Sequence, residues 1–174
     1  MLSKKMQNAL NDQINAELYS SYLYLSMAAY FEEQNLLGFA NWMHVQSQEE
    51  NVHAMKFYKF VNDRRGRVLL QPLDGPKTEW SSAVSVFEDS LEHEQKVTGL
   101  INNLVDLAIK ESDHATQSFL KWFLDEQVEE ESNVDKVIRD LKRIGDSGQG
   151  IFLLDRELAG RAGESGEAES ADET

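Results

Sequence analysis

Four stretches of this chain carry core-type residues at alternating four- and three-residue steps, the spacing that keeps side chains on one face of a helix. The first stripe is Leu10, Ile14, Glu17, Ser21, Tyr24, Ala28 and Phe31. The second is Phe39, Met43, Gln46, Glu50, His53, Phe57 and Phe60. Ala83, Phe87, Ser90, Glu94, Val97, Ile101, Leu104 and Ala108 make the third; Thr116, Leu120, Phe123, Gln127, Glu130, Val134, Val137 and Leu141 make the fourth. All four turn polar near the middle, at Glu17, at Glu50 and His53, at Glu94, and at Gln127 and Glu130, and apolar residues resume on both sides. A chain that buries these stripes together gathers its carboxylates into one interior layer.

The stripes place helices at about 3–34, 39–65, 82–111 and 114–144, with a short fifth at about 148–159. Asn35 to Gly38 separates the first two. Arg64 and Arg65 with Gly66 close the second, Gly66 being able to turn left-handed. Ser81 or Ser82 caps the third, Asp113 caps the fourth, and Arg143 and Gly145 end it. Two of the links are short, so helices one and two, and three and four, form antiparallel hairpins. The second helix is about 40 Å long at 1.5 Å per residue. Segment 66–81, which holds the only prolines, Pro72 and Pro76, reaches about 50 Å when extended. It can therefore cross the whole bundle. The expected fold is all-α: a four-helix bundle with one long crossover between helices two and three, plus a short fifth C-terminal helix. Residues 1–160 form one domain. Residues 161–174, RAGESGEAESADET, lack any large apolar side chain and read as a disordered acidic tail.

Buried carboxylates repel one another and lose hydration, at a cost of several kcal/mol each or a large pKa shift. The stripes hold no lysine or arginine near the layer, so metal ions are the economical compensation. Glu50 and His53 stand at i and i+3 and face one spot; Gln127 and Glu130 repeat the spacing. Taken singly, Glu17 or Glu94 needs only a bundle edge, and His53 only a hydrogen bond; the coincidence on four helices does not reduce to those readings. With no cysteine in 174 residues, thiolate and iron–sulfur sites are excluded, leaving oxygen and imidazole ligands for iron, manganese or zinc. Glu49, Glu126 and Glu129 flank the layer; they read as a solvated face or as holders of a third, weaker ion. Tyr24 is a core aromatic near the carboxylates that could also orient a ligand or supply an electron. Trp122 is read as packing. His44, His93 and His114 are read as surface residues, with His93, next to Glu94, kept open.

The net charge of −14 argues against nucleic acid as a partner. No apolar run suits a membrane span, and the polar start does not suit a secretory signal, so a cytoplasmic location is the default expectation.

At these residues the chain resembles a known family. QINAELYSSYLYLSMAAYF, SQEENVHAMKFY, LEHEQKVTGLI and FLKWFLDEQVEEE look like the ligand-bearing helices of bacterial and archaeal non-haem ferritins, and IFLLDREL resembles their short last helix. That resemblance implies a ferritin-like bundle and a first iron held by Glu17, Glu50 and His53. It implies a second iron held by Glu50, Glu94 and Glu130, with Gln127 close by, and a third site of Glu49, Glu126, Glu129 and Glu130. Tyr24 matches the family's central tyrosine. The implied activity is ferroxidase: Fe(II) oxidised by O2 or H2O2, with ferric mineral stored in a homo-oligomeric shell of 24 subunits. The fourth helix lacks a second Glu-x-x-His, and Asn51 stands where bacterioferritins place the haem-ligating methionine, so no haem is expected. Two other readings compete: a di-iron peroxidase that detoxifies peroxide without storage, and a non-catalytic acidic bundle that binds divalent cations as a scaffold.

Overall fold

A computed structural model describes residues 2–163. The helices are α1 (Lys4–Glu33), α2 (Leu37–Asp63), α3 (Ala83–Lys110), α4 (His114–Ile144) and α5 (Gly148–Leu158). Caps explain most of the starts. Ser3 accepts from the Met6 amide, Asp113 from Thr116 and Ser147 from Gly150, and Ser82, rather than Ser81, forms a reciprocal capping box with Ser85.

Helix ends follow one device used three times. Asn35, Arg65 and Ser112 adopt φ of 56°, 58° and 54°. The next amide in each case reaches back to a carbonyl five residues earlier: Leu36 to Phe31, Gly66 to Val61, Asp113 to Ala108. These are Schellman closures built on non-glycine residues. The expected left-handed Gly66 is thus corrected: Arg65 takes that conformation. Gly66 is needed for space, since a Cβ there would sit 3.0 Å from the Val61 carbonyl oxygen. Gly38, expected in the break, lies in the first turn of α2.

Gly38 marks where α5 docks. A Cβ at this position would fall 1.6 Å from the backbone oxygen of Asp155. Leu36, at the N-cap of α2, offers no side-chain hydrogen bond. Asp155 of α5 supplies it instead, accepting from the amides of Gly38 at 2.8 Å and Phe39 at 3.1 Å. Carboxylates are favoured at a helix N-terminus because the exposed amides and the helix dipole are positive there.

The crossover behaves as its length requires. It runs along α1, with Arg67 and Leu69 held by Gln7 and Asn11, Gln71 by Asp12, and the Lys77 carbonyl by Ser26. Trp80 then tucks in as a buried anchor, its indole N–H donating to Asp89. Because α1 and α2 are antiparallel, travelling from Gln7 to Ser26 brings the chain back to the end where α2 began.

The apolar interior divides in two. One cluster holds Met27, Phe31, Phe39, Trp42, Met43, Phe87, Val134 and Leu141, with Leu154 and Leu158 of α5 against it. The other holds Met6, Leu10, Ile14, Phe57, Ile101, Leu120 and Phe123. Between them lies the polar layer that the stripes foretold. Of the stripe residues only Ser21, Phe60 and Ala83 are half-buried; the others are buried. Gly38→Ala is expected to lower unfolding free energy by about 1–3 kcal/mol, the usual cost of forced overpacking. Hydrogen exchange of the α5 amides should rise in the same variant while the layer helices keep their protection.

Candidate metal centre

Glu17, Glu50, His53, Glu94, Gln127 and Glu130 are all at most 5% exposed. Each comes from the middle of its helix, so four separate stripes deliver one cluster. Glu17, Glu50 and His53 present ligand atoms within 4.8 Å of one another. His53, Glu126 and Glu130 do the same, so the imidazole stands between two acidic groups. Its Nδ1 is 3.4 Å from Glu50 Oε2, and its ring packs edge-on against Trp122 with centroids 5.3 Å apart. Trp122 is therefore packing, as expected, though also the wall behind a cluster residue; the Lys56 ammonium lies 3.1 Å from its ring centroid.

Amide side chains orient the carboxylates. Gln13 donates to Glu17 Oε1 at 2.8 Å, and Gln46 to Glu130 Oε2 at 2.6 Å. Gln127 donates to Glu94 Oε2 at 3.2 Å. The Tyr24 hydroxyl donates to Glu94 Oε1. Sequence reasoning did not assign Gln13 or Gln46 to the site. A signal was available: each stands four residues before a cluster glutamate, one turn away on the same face.

Burial dominates the electrostatics. Glu17 is pushed up to about 8 by burial, with Glu50 adding to the shift. Glu130 also rises to about 8, through burial and then Glu94; Glu94 rises to about 7, mainly through burial. Glu50 moves well above the ordinary carboxylate range for the same reason, reinforced by Glu94 and Glu130. The Tyr24 phenol is raised too, by burial and by Glu94. Among the described residues, Glu17 Oε2 and Gln46 Oε1 are buried with no hydrogen-bond partner. An unpaired carboxylate oxygen beside Glu50 and His53 suits a hard or borderline divalent cation such as iron, which takes oxygen and imidazole ligands.

The flanking acids divide. Glu126 joins His53 and Glu130. Glu49 is half-buried and bonded to Arg161, and Glu129 is exposed. The surface reading fits His114, which is exposed, and His44, which pairs with Glu32 at a side-chain exposure of 41%. It is corrected for His93. That ring is half-buried between α1 and α3, 2.7 Å from the Ser20 hydroxyl and against Tyr19 and Tyr24, with its pKa lowered to about 4 by burial and by Lys96.

An antiparallel-hairpin bundle with a single crossover defines the class of ferritin-like four-helix bundle proteins, and the central Glu/His layer is a candidate metal site within it. Within that class, residues 7–144 match the Ferritin-like domain family. The chain is 46% identical to the bacterial non-heme ferritin of Staphylococcus saprophyticus over 162 residues, covering 93% of this chain and 97% of the relative. With that of Staphylococcus aureus it shares 44% over 161 residues, covering 92% and 97%. Among solved structures, it is similar to the open-pore ferritin of the hyperthermophilic archaeon Archaeoglobus fulgidus, with 50% identity, a TM-score of 0.92, and coverage of 92% of this chain and 98% of that one. A closed form of the same ferritin, engineered by mutagenesis, gives 49%, 0.93, and coverage of 94% and 99%. The chain belongs to the ferritin family.

Raised carboxyl pKa values carry a sign for stability. The unfolded chain loses these protons near the ordinary value of 4.5, whereas Glu17 and Glu130 hold theirs to about 8 in the fold. Stability is therefore full below about 4.5 and is progressively lost as pH rises through 8. Metal-free protein should melt at least about 5 °C lower at pH 8 than at pH 5.5, given roughly 2–4 °C per kcal/mol for a chain of this size. Calorimetry with and without Zn(II) tests this, since a bound cation removes the penalty.

Proposed function

We propose that this protein is an iron-storage ferritin whose interior layer is a ferroxidase centre. The observation that carries the reading is the cluster of Glu17, Glu50 and His53 beside Glu94 and Glu130, buried between two apolar clusters and left with a carboxylate oxygen unpaired. Family membership supports storage.

Fe(II) is the substrate, and each ion gives up one electron to O2 or H2O2. In this reading Glu17, Glu50 and His53 hold one ion and Glu50, Glu94 and Glu130 hold the other, Glu50 serving both. Carboxylates favour the ferric state, because the added positive charge meets negative ligands in a dry interior. Carboxyl groups raised toward 7–8 give up their protons as Fe(II) arrives, so uptake is coupled to proton release. The glutamine amides keep the carboxylates aimed while they change partners. Gln127, bonded to the backbone and side chain of Glu94, makes the α4 side unequal to the Glu-x-x-His of α2, which leaves the second position more open for oxidant and product. Tyr24, bonded to Glu94, is placed to orient that ligand and to lend an electron. Glu126 and Glu130, with Glu129 beside Glu130 in sequence and Glu49 close enough for its charge to act on Glu130, are assigned to a third cation. No haem is part of this reading.

The subunit is read as one member of a homo-oligomeric shell of 24 that encloses the mineral, in the cytoplasm. Among the described residues no helix is long and apolar enough to cross a membrane. Exposed apolar side chains on α1, α2 and the crossover (Tyr22, Leu25, Met55, Leu70) support burial between copies.

Glu50→Ala combined with His53→Ala should slow aerobic Fe(II) oxidation at two ions per subunit by at least about 10-fold, since changing even the supporting partners of metal ligands costs about 10–100-fold. Ferric absorbance in stopped flow measures it. Wild-type speed in that variant sinks the assigned centre. Light scattering separates the peroxidase alternative: a small oligomer has no cavity for mineral.

A further inference from the structure

The chain leaves α5 and turns back onto α2. Asn41 donates to the carbonyls of Leu158 and Arg161, at 3.2 and 3.0 Å. This latch sets Arg161 over Trp42, its guanidinium carbon 4.3 Å from the ring centroid, with Nη1 3.4 Å from the Trp42 carbonyl oxygen. Nη2 meets Glu49 Oε2 at 2.6 Å, and the two side chains are only 19% and 17% exposed. Arg161 was expected to begin a disordered tail; it is instead a fixed, half-buried cation. Residues 164–174, the rest of that tail, lie outside the described residues.

Glu49 is next in sequence to Glu50, and its charge acts on Glu130. Arg161 therefore places a full positive charge at the rim of the carboxylate layer, on one of the acids assigned to a third cation. Two cations cannot take the same carboxylate at full strength. A guanidinium held by a ring, a carbonyl and an amide latch is a pre-organised competitor, because little freedom remains for it to lose on pairing.

We propose that Arg161 is a tethered counter-ion for Glu49 that a third cation must displace, so that filling this position and releasing the 158–163 segment are one coupled event. Reciprocity follows from linkage: whatever the segment does to the cation, the cation does to the segment. This proposal rests on Glu49 and Glu126 serving a third cation.

The test uses the assembled protein and Zn(II), which does not change oxidation state. Titration calorimetry and anomalous diffraction count and rank the bound ions in wild type, Arg161→Gln and Arg161→Lys. Arg161→Gln should bind the third ion about 10-fold more tightly, within the usual range of coupling between sites, and leave the first two unchanged. Arg161→Lys should stay nearer wild type. In wild type, exchange of the amides of residues 158–163 should quicken as the third ion fills; in Arg161→Gln it should already be fast. Equal third-ion affinity in wild type and Arg161→Gln, with the ion seen on Glu49, overturns the proposal while leaving the third site intact. Absence of a third ion from all three proteins overturns both. Weaker third-ion binding in Arg161→Gln would make Arg161 a support for the site and also overturn the proposal. Light scattering and circular dichroism confirm that the variants assemble and fold alike.

Discussion

The burial of four carboxylates in one layer, which strips their hydration first and sets them against one another second, is the constraint on which the rest of this structure depends. Glu17, Glu50, Glu94 and Glu130 sit in a region from which water is excluded. Burying unpaired charge is among the costliest things a fold can do. Three features hold the cost down. Protonation removes charge when no cation is present, as the raised pKa values express. Gln13, Gln46, Gln127 and Tyr24 supply hydrogen bonds. Apolar clusters above and below contribute the burial that a split core would otherwise lack. A cation replaces the protons when it arrives, so the strain of the empty layer becomes affinity for metal.

Bundle and layer were legible for one reason: both follow from periodicity. A stripe that keeps step along a helix fixes which residues are buried whatever the neighbours do, and a polar interruption at the same depth on every stripe fixes a layer. Glu17, Glu50, His53, Glu94, Gln127 and Glu130 were found that way, and their roles as ligands remain the proposal that the geometry supports. The crossover was legible from its length against that of α2.

What escaped depended on the third dimension. Gln13 lies beside its stripe rather than on it, so a reading confined to the stripes passed over a residue one turn from Glu17 on the same helix. His93 was given to the surface because its position on α3 faces away from the stripe, yet α1 packs against that side and brings Ser20 and Tyr19 to it. Gly38 and Gly66 were read as turn formers, the common use of glycine. Their actual use is spatial: at Gly38 it depends on Asp155, which no local pattern connects to it, and at Gly66 on Val61, five residues back at the same helix end. Arg161 was assigned to the tail by composition, since its neighbours are small or acidic; its partners Trp42 and Glu49 come from the other end of the sequence.

The cap that α5 provides for α2 has a consequence for how a subunit is made. Asp155 and Gly38 are separated by 117 residues. Contacts so distant in sequence form late, because the intervening chain must be ordered first. During synthesis the first hairpin can therefore pair while the leading amides of α2 still face water. They are satisfied only when the last helix leaves the ribosome. A product that stops before Asp155 thus carries an unsealed end next to Phe39 and Trp42. The start of α2 is in this way sealed by the fifth helix, the last of the described helices to be made.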